Sequence, residues 1–481
     1  MKRSRILHLV RLVVILVMAY SGLAQSTTYY VSQDGADRNS GLGWAKAWRT
    51  LEHAGQTARA GDLVIVRKGS EPYRYLPVSH SGSKTEPIVF RGESKDSLPV
   101  VTGGIKESGW EPSDTQGLWR IRTSASPILL MEDGIPLVEA TSRSCSDGHW
   151  YWANGELMYR PSSGEPSNHD VWRASTGGGI QLGNNSWILV EDFECWLGQG
   201  ACIGIDEGSY NIIRGIHAQW YARGVQIWRG HHNVVQDGLF ENNREGVYLL
   251  NGAAHNSIRD CKATRNGNSP IWKTGDRSGI LIGETGINIG NQLIANEVAF
   301  NGSPNSDPGL IAYSAPETLI EGNYVHDNYS GGIMIGVWSD HSSAVGNRVV
   351  QNGGPAVLSG KGNVSGLSVR RSGWVTVSNN EVLHNYVSPS DSNRYVDRTG
   401  GGIDLKGNKG DDMRGNKFID NIVCGTKNGP DVYLSQLPDI TGLVFQEPVS
   451  DQSVVNTKIG CSGSHSSDVT PPVSPMGLTI R

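Results

Sequence analysis

The sequence predicts an all-β chain: a right-handed parallel β-helix solenoid with an N-terminal capping helix and a small inserted β-lobe. Three observations carry that expectation. A glycine-led short strand recurs from about residue 178, an asparagine-framed hexapeptide follows most copies of it, and 62 of the 481 residues are glycine. That much glycine without a collagen period marks a chain that turns often.

The recurring strands begin with Ile180-Gln181-Leu182, Ile203-Gly204-Ile205 and Val225-Gln226-Ile227 and run on to Ile403-Asp404-Leu405 and Val432-Tyr433-Leu434. The framed hexapeptides are NEVAFN at Asn296, NYVHDN at Asn323, NRVVQN at Asn347, NEVLHN at Asn380 and NKFIDN at Asn416. A unit of about 22–24 residues cannot bury its own apolar face, so neighbouring units must cover one another, as in a solenoid. The asparagines, repeated at one corner, are expected to form a ladder whose amides bond from coil to coil.

At the N-terminus Lys2, Arg3, Arg5 and Arg11 precede an apolar run over residues 12–19, and Gly22-Leu23-Ala24 offers small residues for cleavage. This reads as a secretory signal peptide over 1–24, too short for a comfortable membrane span. The mature chain is expected outside the cell or in the periplasm, without a membrane partner and as a monomer. A net charge of −5 with 19% charged residues gives no basic field for nucleic acid. Six cysteines, at 145, 195, 202, 261, 424 and 461, are scattered. Export permits disulfides, the sequence does not select a pairing, and most of the six read as buried small apolar residues.

The remaining boundaries follow from breaks in the rhythm. Residues 25–104 hold the cap and first coils, 105–170 the inserted lobe, 171–447 the main helix, and 448–481 a serine- and proline-shifted tail. In the lobe, "ILLMEDGIPLVEA" and "HWYWANGELMYRP" read as strand pairs, the second turning at Asn154-Gly155. Its tryptophans (Trp110, Trp119, Trp150, Trp152 and Trp172) read chiefly as the lobe's own core.

The stretches "TYYVSQDGADRNSG", "WRTLEHAGQTARAGDLVIVRKG" and "PIVFRG" resemble the opening of secreted bacterial β-helix proteins of the pectate-lyase-like superfamily. The resemblance implies that residues 48–60 form a helix capping the first coil, and Leu51, Ala54 and Ala58 do share one helical face. It also implies a carbohydrate-active protein. The superfamily holds lyases, hydrolases, epimerases and non-enzymatic adhesins, so it does not choose a reaction. The tail "TPPVSPMGLTIR" resembles the first strand of a fibronectin type III-like module.

Long excursions fall at one corner, after Asn266, Asn301, Asn352 and Asn385 and before the next glycine-led strand. Insertions at one corner of a solenoid build a wall along one face, which is often the binding face. Asp276 and Asp307 stand shortly before strands of consecutive coils, so their carboxyls are expected within roughly 5–8 Å of each other.

Glycoside hydrolysis needs one carboxyl to protonate the leaving oxygen and a second as nucleophile or base. The expected catalytic group is Asp276, Asp307 and Arg277, with Glu284 and the outward-pointing Asp404 as alternates. Lys273, Arg244, Trp228, Tyr248, Tyr313, Tyr329 and Trp338 are the expected substrate contacts. The alternative is a polysaccharide lyase on a uronic-acid glycan, in which Lys273, Arg277, Arg244 and Lys406 neutralise the carboxylate and Asp276 with Asp307 hold Ca²⁺. Hydrolysis requires no cofactor, and no cysteine–histidine grouping resembles a metal site. The third reading is a glycan-binding or adhesive β-helix without catalysis.

Overall fold

The structure, a computed structural model, describes residues 26–267, 278–283, 285–302, 307–353, 365–386, 401–407, 413–426, 432–434 and 444–446. The signal peptide, the tail and most of the excursions, with Asp276, Arg277, Lys273 and Glu284, lie outside the described residues.

Nearly every described element is a strand, and the strands stack as parallel ladders in a 13-stranded and a 19-stranded sheet. The first is the rear sheet, running from Thr28–Val31 to Val444–Gln446. The second folds into two limbs. The front limb carries Tyr75–Pro77, Gly179–Gly183, Ile280–Ile282, Leu310–Ala312, Ile333–Ile335, Leu367–Arg370 and Ile403–Lys406, and the side limb carries Val100–Thr102, Lys262–Thr264, Glu297–Ala299, Tyr324–His326, Arg348–Val350, Glu381–Leu383 and Ile422–Cys424. Two long strands, Glu194–Asp206 and His217–Trp228, bend round the corner and pair within both limbs. Each coil passes side limb, front limb, rear sheet.

Alternation explains why three-residue strands suffice. In Ile280–Ile282 the outer two side chains enter the core, as do Leu310 with Ala312 and Ile333 with Ile335. Register keeps like under like: Ile280 over Leu310 and Leu310 over Ile333. The asparagines are buried and bond coil to coil. They occupy all three corners, where a ladder at one corner was expected. One ladder runs Asn211, Asn233, Asn256, Asn291; a second runs Asn296, Asn323, Asn347, Asn380, Asn421; a third runs Asn243, Asn266, Asn301, Asn328, Asn352, Asn385. The sequence step between rungs is 22 or 23 residues early on and grows to 35, 33 and 41 where excursions intervene, yet the bond is the same.

The cap is a helix, Leu51–Thr57, whose N-terminal Thr50 side chain accepts from the His53 amide. Leu51, Ala54 and Gly55 are its buried face. A Cβ at Gly55 would stand 2.2 Å from the Pro77 carbonyl oxygen, so glycine is what lets the helix lie on the first front strand. At the corner between the front limb and the rear sheet, Trp187, Tyr210, His232 and His255 stack ring on ring at 4.4, 4.9 and 5.2 Å. Inner rings of that column have both faces occupied, so it is scaffold.

The cysteines correct the sequence reading in part. Cys195 and Cys202 form a disulfide inside the bend and Cys424 is disulfide-bonded, whereas Cys145 and Cys261 are buried and free.

The lobe consists of a five-stranded and a four-stranded sheet in which most pairings are antiparallel. Its hairpin turns at Asn154 and Gly155, both at positive φ (53° and 79°), as a type I′ turn requires. Trp150, Leu157 and Tyr159 form its core with Trp110 and Trp152 against them, while Trp172 packs with Trp196 and Trp220 where the lobe meets the solenoid. It leaves the side limb after Val100–Thr102 and rejoins the front limb at Gly179–Gly183, which is the corner that carries the excursions.

A histidine clamp closes this lobe. His169 Nδ1 is 2.7 Å from Asp133 Oδ2 and Nε2 is 2.7 Å from the Ser163 carbonyl, so both nitrogens face acceptors. The hydrogen bond to Asp133 is the main cause of a His169 pKa above the ordinary value. The clamp's stabilisation is full below the unfolded histidine pKa of about 6.5 and is lost as pH rises through the raised folded value. Hydrogen exchange around residues 130–136 should therefore quicken between neutral and mildly alkaline pH, beyond the intrinsic rate. His169→Gln should abolish that pH dependence.

Candidate functional site

The outward column of the front limb changes character along the axis. In register it reads Gln226, Tyr248, Leu281, Ile311, Met334, Ser368, Asp404. Tyr248, Leu281, Ile311 and Met334 form an apolar strip with Leu250, and Trp228 and Tyr313 pack against it. The strip faces away from the core and is nonetheless buried. At Ser368 it gives way to a polar cluster.

Asp404 is the centre of that cluster. It points outward, as alternation requires, but is 0% exposed, so it is not the solvent-facing carboxylate that the sequence implied. Its Oδ2 accepts from Ser365 Oγ at 2.6 Å and pairs with Lys406 Nζ at 2.8 Å. Its Oδ1 has no hydrogen-bond partner among the described residues. A buried carboxylate with one oxygen fixed and the other unused is costly unless it serves something else. Arg370 stands above Lys406 in register, and its Nε donates to Ser368 Oγ at 2.9 Å. Burial lowers the Arg370 pKa from the ordinary guanidinium value, and the carboxylates of Asp404 and Asp307 pull against that. Asp307 and Asp404 are thus the two carboxylates that act electrostatically on Arg370.

A second ionic group lies at the other end of the strip. Glu245 is 1% exposed, receives Arg244 Nε at 2.8 Å, and has Arg223 Nε at 3.5 Å. The Arg223 guanidinium also sits 5.1 Å from the Tyr248 ring centre. Arg244, expected to contact substrate, is thus committed at Nε to an internal carboxylate. Five rungs separate Tyr248 from Asp404, roughly 24 Å at the rise of stacked strands.

The expected aromatic contacts divide. Tyr248 is buried, and Trp228 and Tyr313 are partly buried against the strip. Trp338 is 64% exposed on the corner beside Arg371, and Tyr329 is 38% exposed at the excursion corner. Sequence reasoning missed Ser365, Ser368, Arg370, Arg223 and Glu245. Two signals were present: Arg370 and Lys406 end aligned strands "LSVR" and "IDLK", and Arg223, Glu245 and Ser365 each stand two residues before a core strand residue.

In the lobe, Glu132, Asp133 and His169 lie close enough to share an ion. Glu132 already accepts from Tyr159 and Ser162, and His169 is held as described above, so the cluster is occupied by internal bonds.

The family profile described as right handed beta helix region matches residues 271–441. Among solved structures, the complex of XylC with xylose is similar with a TM-score of 0.51 at 13% identity, covering 83% of this chain and 70% of that one. A structure described as a glycoside hydrolase is similar at 0.50 and 13%, covering 88% and 97%. An 82-residue stretch is 35% identical to the uncharacterized protein YwoF of Bacillus subtilis (strain 168), and it spans 17% of this chain and 17% of that protein. The fold is a right-handed parallel β-helix.

Proposed function

We propose that this chain is a secreted carbohydrate-active enzyme that hydrolyses a glycosidic bond on the front limb, with Asp404 as nucleophile or base. The observation that carries the reading is Asp404 itself: a fully buried carboxylate with one oxygen anchored by Ser365 and Lys406 and the other without a hydrogen-bond partner among the described residues. Fixing one oxygen orients the other toward a reacting atom, and the ammonium compensates the charge. Asp307, on the far side of Arg370, is the second carboxyl. The strand that follows Asp307 stands three rungs from that of Asp404, roughly 14 Å, and both carboxylates act electrostatically on Arg370, whose strand lies between. The exposed Trp338 ring would stack on a sugar beside this cluster. The solved β-helix structures of similar fold, one holding xylose and one described as a glycoside hydrolase, support a sugar substrate. Disulfides at Cys195–Cys202 and Cys424 support export.

One observation favours a second reading. Arg370 and Lys406 are paired in register beside Asp404, and such a basic pair suits the carboxylate of a uronic sugar undergoing β-elimination. A panel of neutral and uronic polysaccharides separates the two when reducing ends and ultraviolet absorbance are followed together. Hydrolysis predicts new reducing ends without absorbance. An absorbing, unsaturated product overturns it in favour of elimination, and binding without either signal leaves a glycan-binding solenoid.

A further inference from the structure

We infer that a second sugar-binding site lies at the N-terminal edge of the front limb, remote from Asp404, and that it takes a neutral oligosaccharide. A cavity of about 490 Å³ opens there, between the start of the cap helix and the approach to the first front strand. Its size is ordinary for a small-molecule site, roughly 300–1,000 Å³. Tyr75 lines it and is an outward residue of that strand, the neighbouring Leu76 being core. Nine rungs separate Tyr75 from Asp404, roughly 43 Å, so the cavity is no part of the Asp404 cluster.

The cavity's walls are fixed by internal bonds. Asp37 Oδ1 accepts from the Arg49 and Thr50 amides, both at 2.9 Å, and its Oδ2 accepts from Thr50 Oγ1 at 2.9 Å. On the other side the Gln33 carboxamide donates to the Glu71 carbonyl and accepts from the Glu71 amide at 3.2 Å. A Cβ at Gly69 would stand 2.1 Å from Gln33 Cδ, so glycine is what admits this amide. Walls already ordered by folding add little ordering cost to binding.

The charged side chains of the lining, by contrast, are uncommitted. Asp34, Glu52, Glu71 and Arg49 are exposed, and none makes an ion pair among the described residues, whereas nearby Arg67 is taken by Glu93 at 2.8 Å. Arg74 spends one guanidinium nitrogen on the Gly104 carbonyl. Carboxylates accept from sugar hydroxyls, guanidiniums donate to them, and a tyrosine ring packs on the apolar face of a pyranose. Three carboxylates against two guanidiniums leave the lining slightly negative, which disfavours a uronic chain. An ion fits poorly as well. Among the described residues the side chains close enough to share one are Glu132, Asp133 and His169, so Asp34, Glu52 and Glu71 are spread around something larger. The choice of a sugar over another hydroxyl-rich molecule rests on the carbohydrate-active reading above.

Hydrogen exchange of the full chain, read by mass spectrometry, tests the site with xylo-, cello- and manno-oligosaccharides and with oligogalacturonate as the anionic control. A neutral oligosaccharide should slow exchange at residues 33–37 and 69–75, and oligogalacturonate should not. The double variant Glu52→Gln with Glu71→Gln should raise the concentration giving half of that protection about tenfold or more. Both residues are exposed, so exchange elsewhere should be unchanged. Protection by oligogalacturonate overturns the neutral class. No protection of those segments by any neutral probe, or an unaltered affinity in the double variant, overturns the site. Protection confined to Leu367–Arg370 and Ile403–Lys406 sinks the cavity and leaves the Asp404 reading intact. Protection at the cavity without new reducing ends does the reverse.

Discussion

Asp404→Asn should lower turnover about a thousandfold, within the range for loss of a catalytic carboxyl, while the solenoid remains folded. The substitution preserves shape and an acceptor for Ser365 Oγ, but removes the charge that faces Lys406 and Arg370. Leaving a largely buried ammonium uncompensated carries its own cost, roughly 3 kcal/mol, so a stability loss alone does not identify the role. The double variant Asp404→Asn with Lys406→Met separates the two effects, because it removes both halves of the ion pair. If Asp404 acts on substrate, stability recovers in the double variant and turnover does not. If Asp404 only holds the limb together, activity returns with stability. Asp307→Asn should also reduce turnover, with little effect on folding, because Asp307 is only partly buried.

Asn328→Ala should destabilise the middle of the solenoid by about 3 kcal/mol, the size expected when buried amide groups lose their partners. Asn328 Oδ1 accepts from both the backbone and the side-chain amide of Asn301, and its Nδ2 donates to the Val298 carbonyl at 2.9 Å and to Asn352 Oδ1 at 2.8 Å. Asn328 is 1% exposed and Asn301 0%, so water does not replace these bonds. Stacked repeats open locally as well as globally, so residue-resolved hydrogen exchange is the apt measurement. Amides at Asn301 and neighbouring rungs should exchange on the order of 100-fold faster, with the cap helix unaffected. Exchange indistinguishable from the parent would show that the ladder is ornamental.

These two sites mark how far the sequence could be read. The Asn328 role was legible from one repeat unit, since N-x-apolar-x-x-N recurs and its first four copies stack in register, whereas NKFIDN frames a rear strand and only its Asn421 meets Asn380. Even so, one corner was expected where three are laddered, because the ladder through Asn211, Asn233, Asn256 and Asn291 lacks the second, framing asparagine. The outward direction of Asp404 was legible too, from alternation within Ile403-Asp404-Leu405. Its burial was not, nor was its company.

Local periodicity determined the strands, the core positions, the capping helix and the hairpin at Asn154-Gly155, because those depend on residues a few positions apart. The tertiary stack decided the site. Ser365 and Asp404 are 39 residues apart in sequence but lie on adjacent coils, and the Asp307 carboxylate acts electrostatically on Arg370 although the two are 63 positions apart. The physical reason is that excursions lengthen the chain without lengthening the axis. Sequence distance along this solenoid therefore carries no measure of spatial distance, and only the register of the parallel ladders says which outward side chains meet.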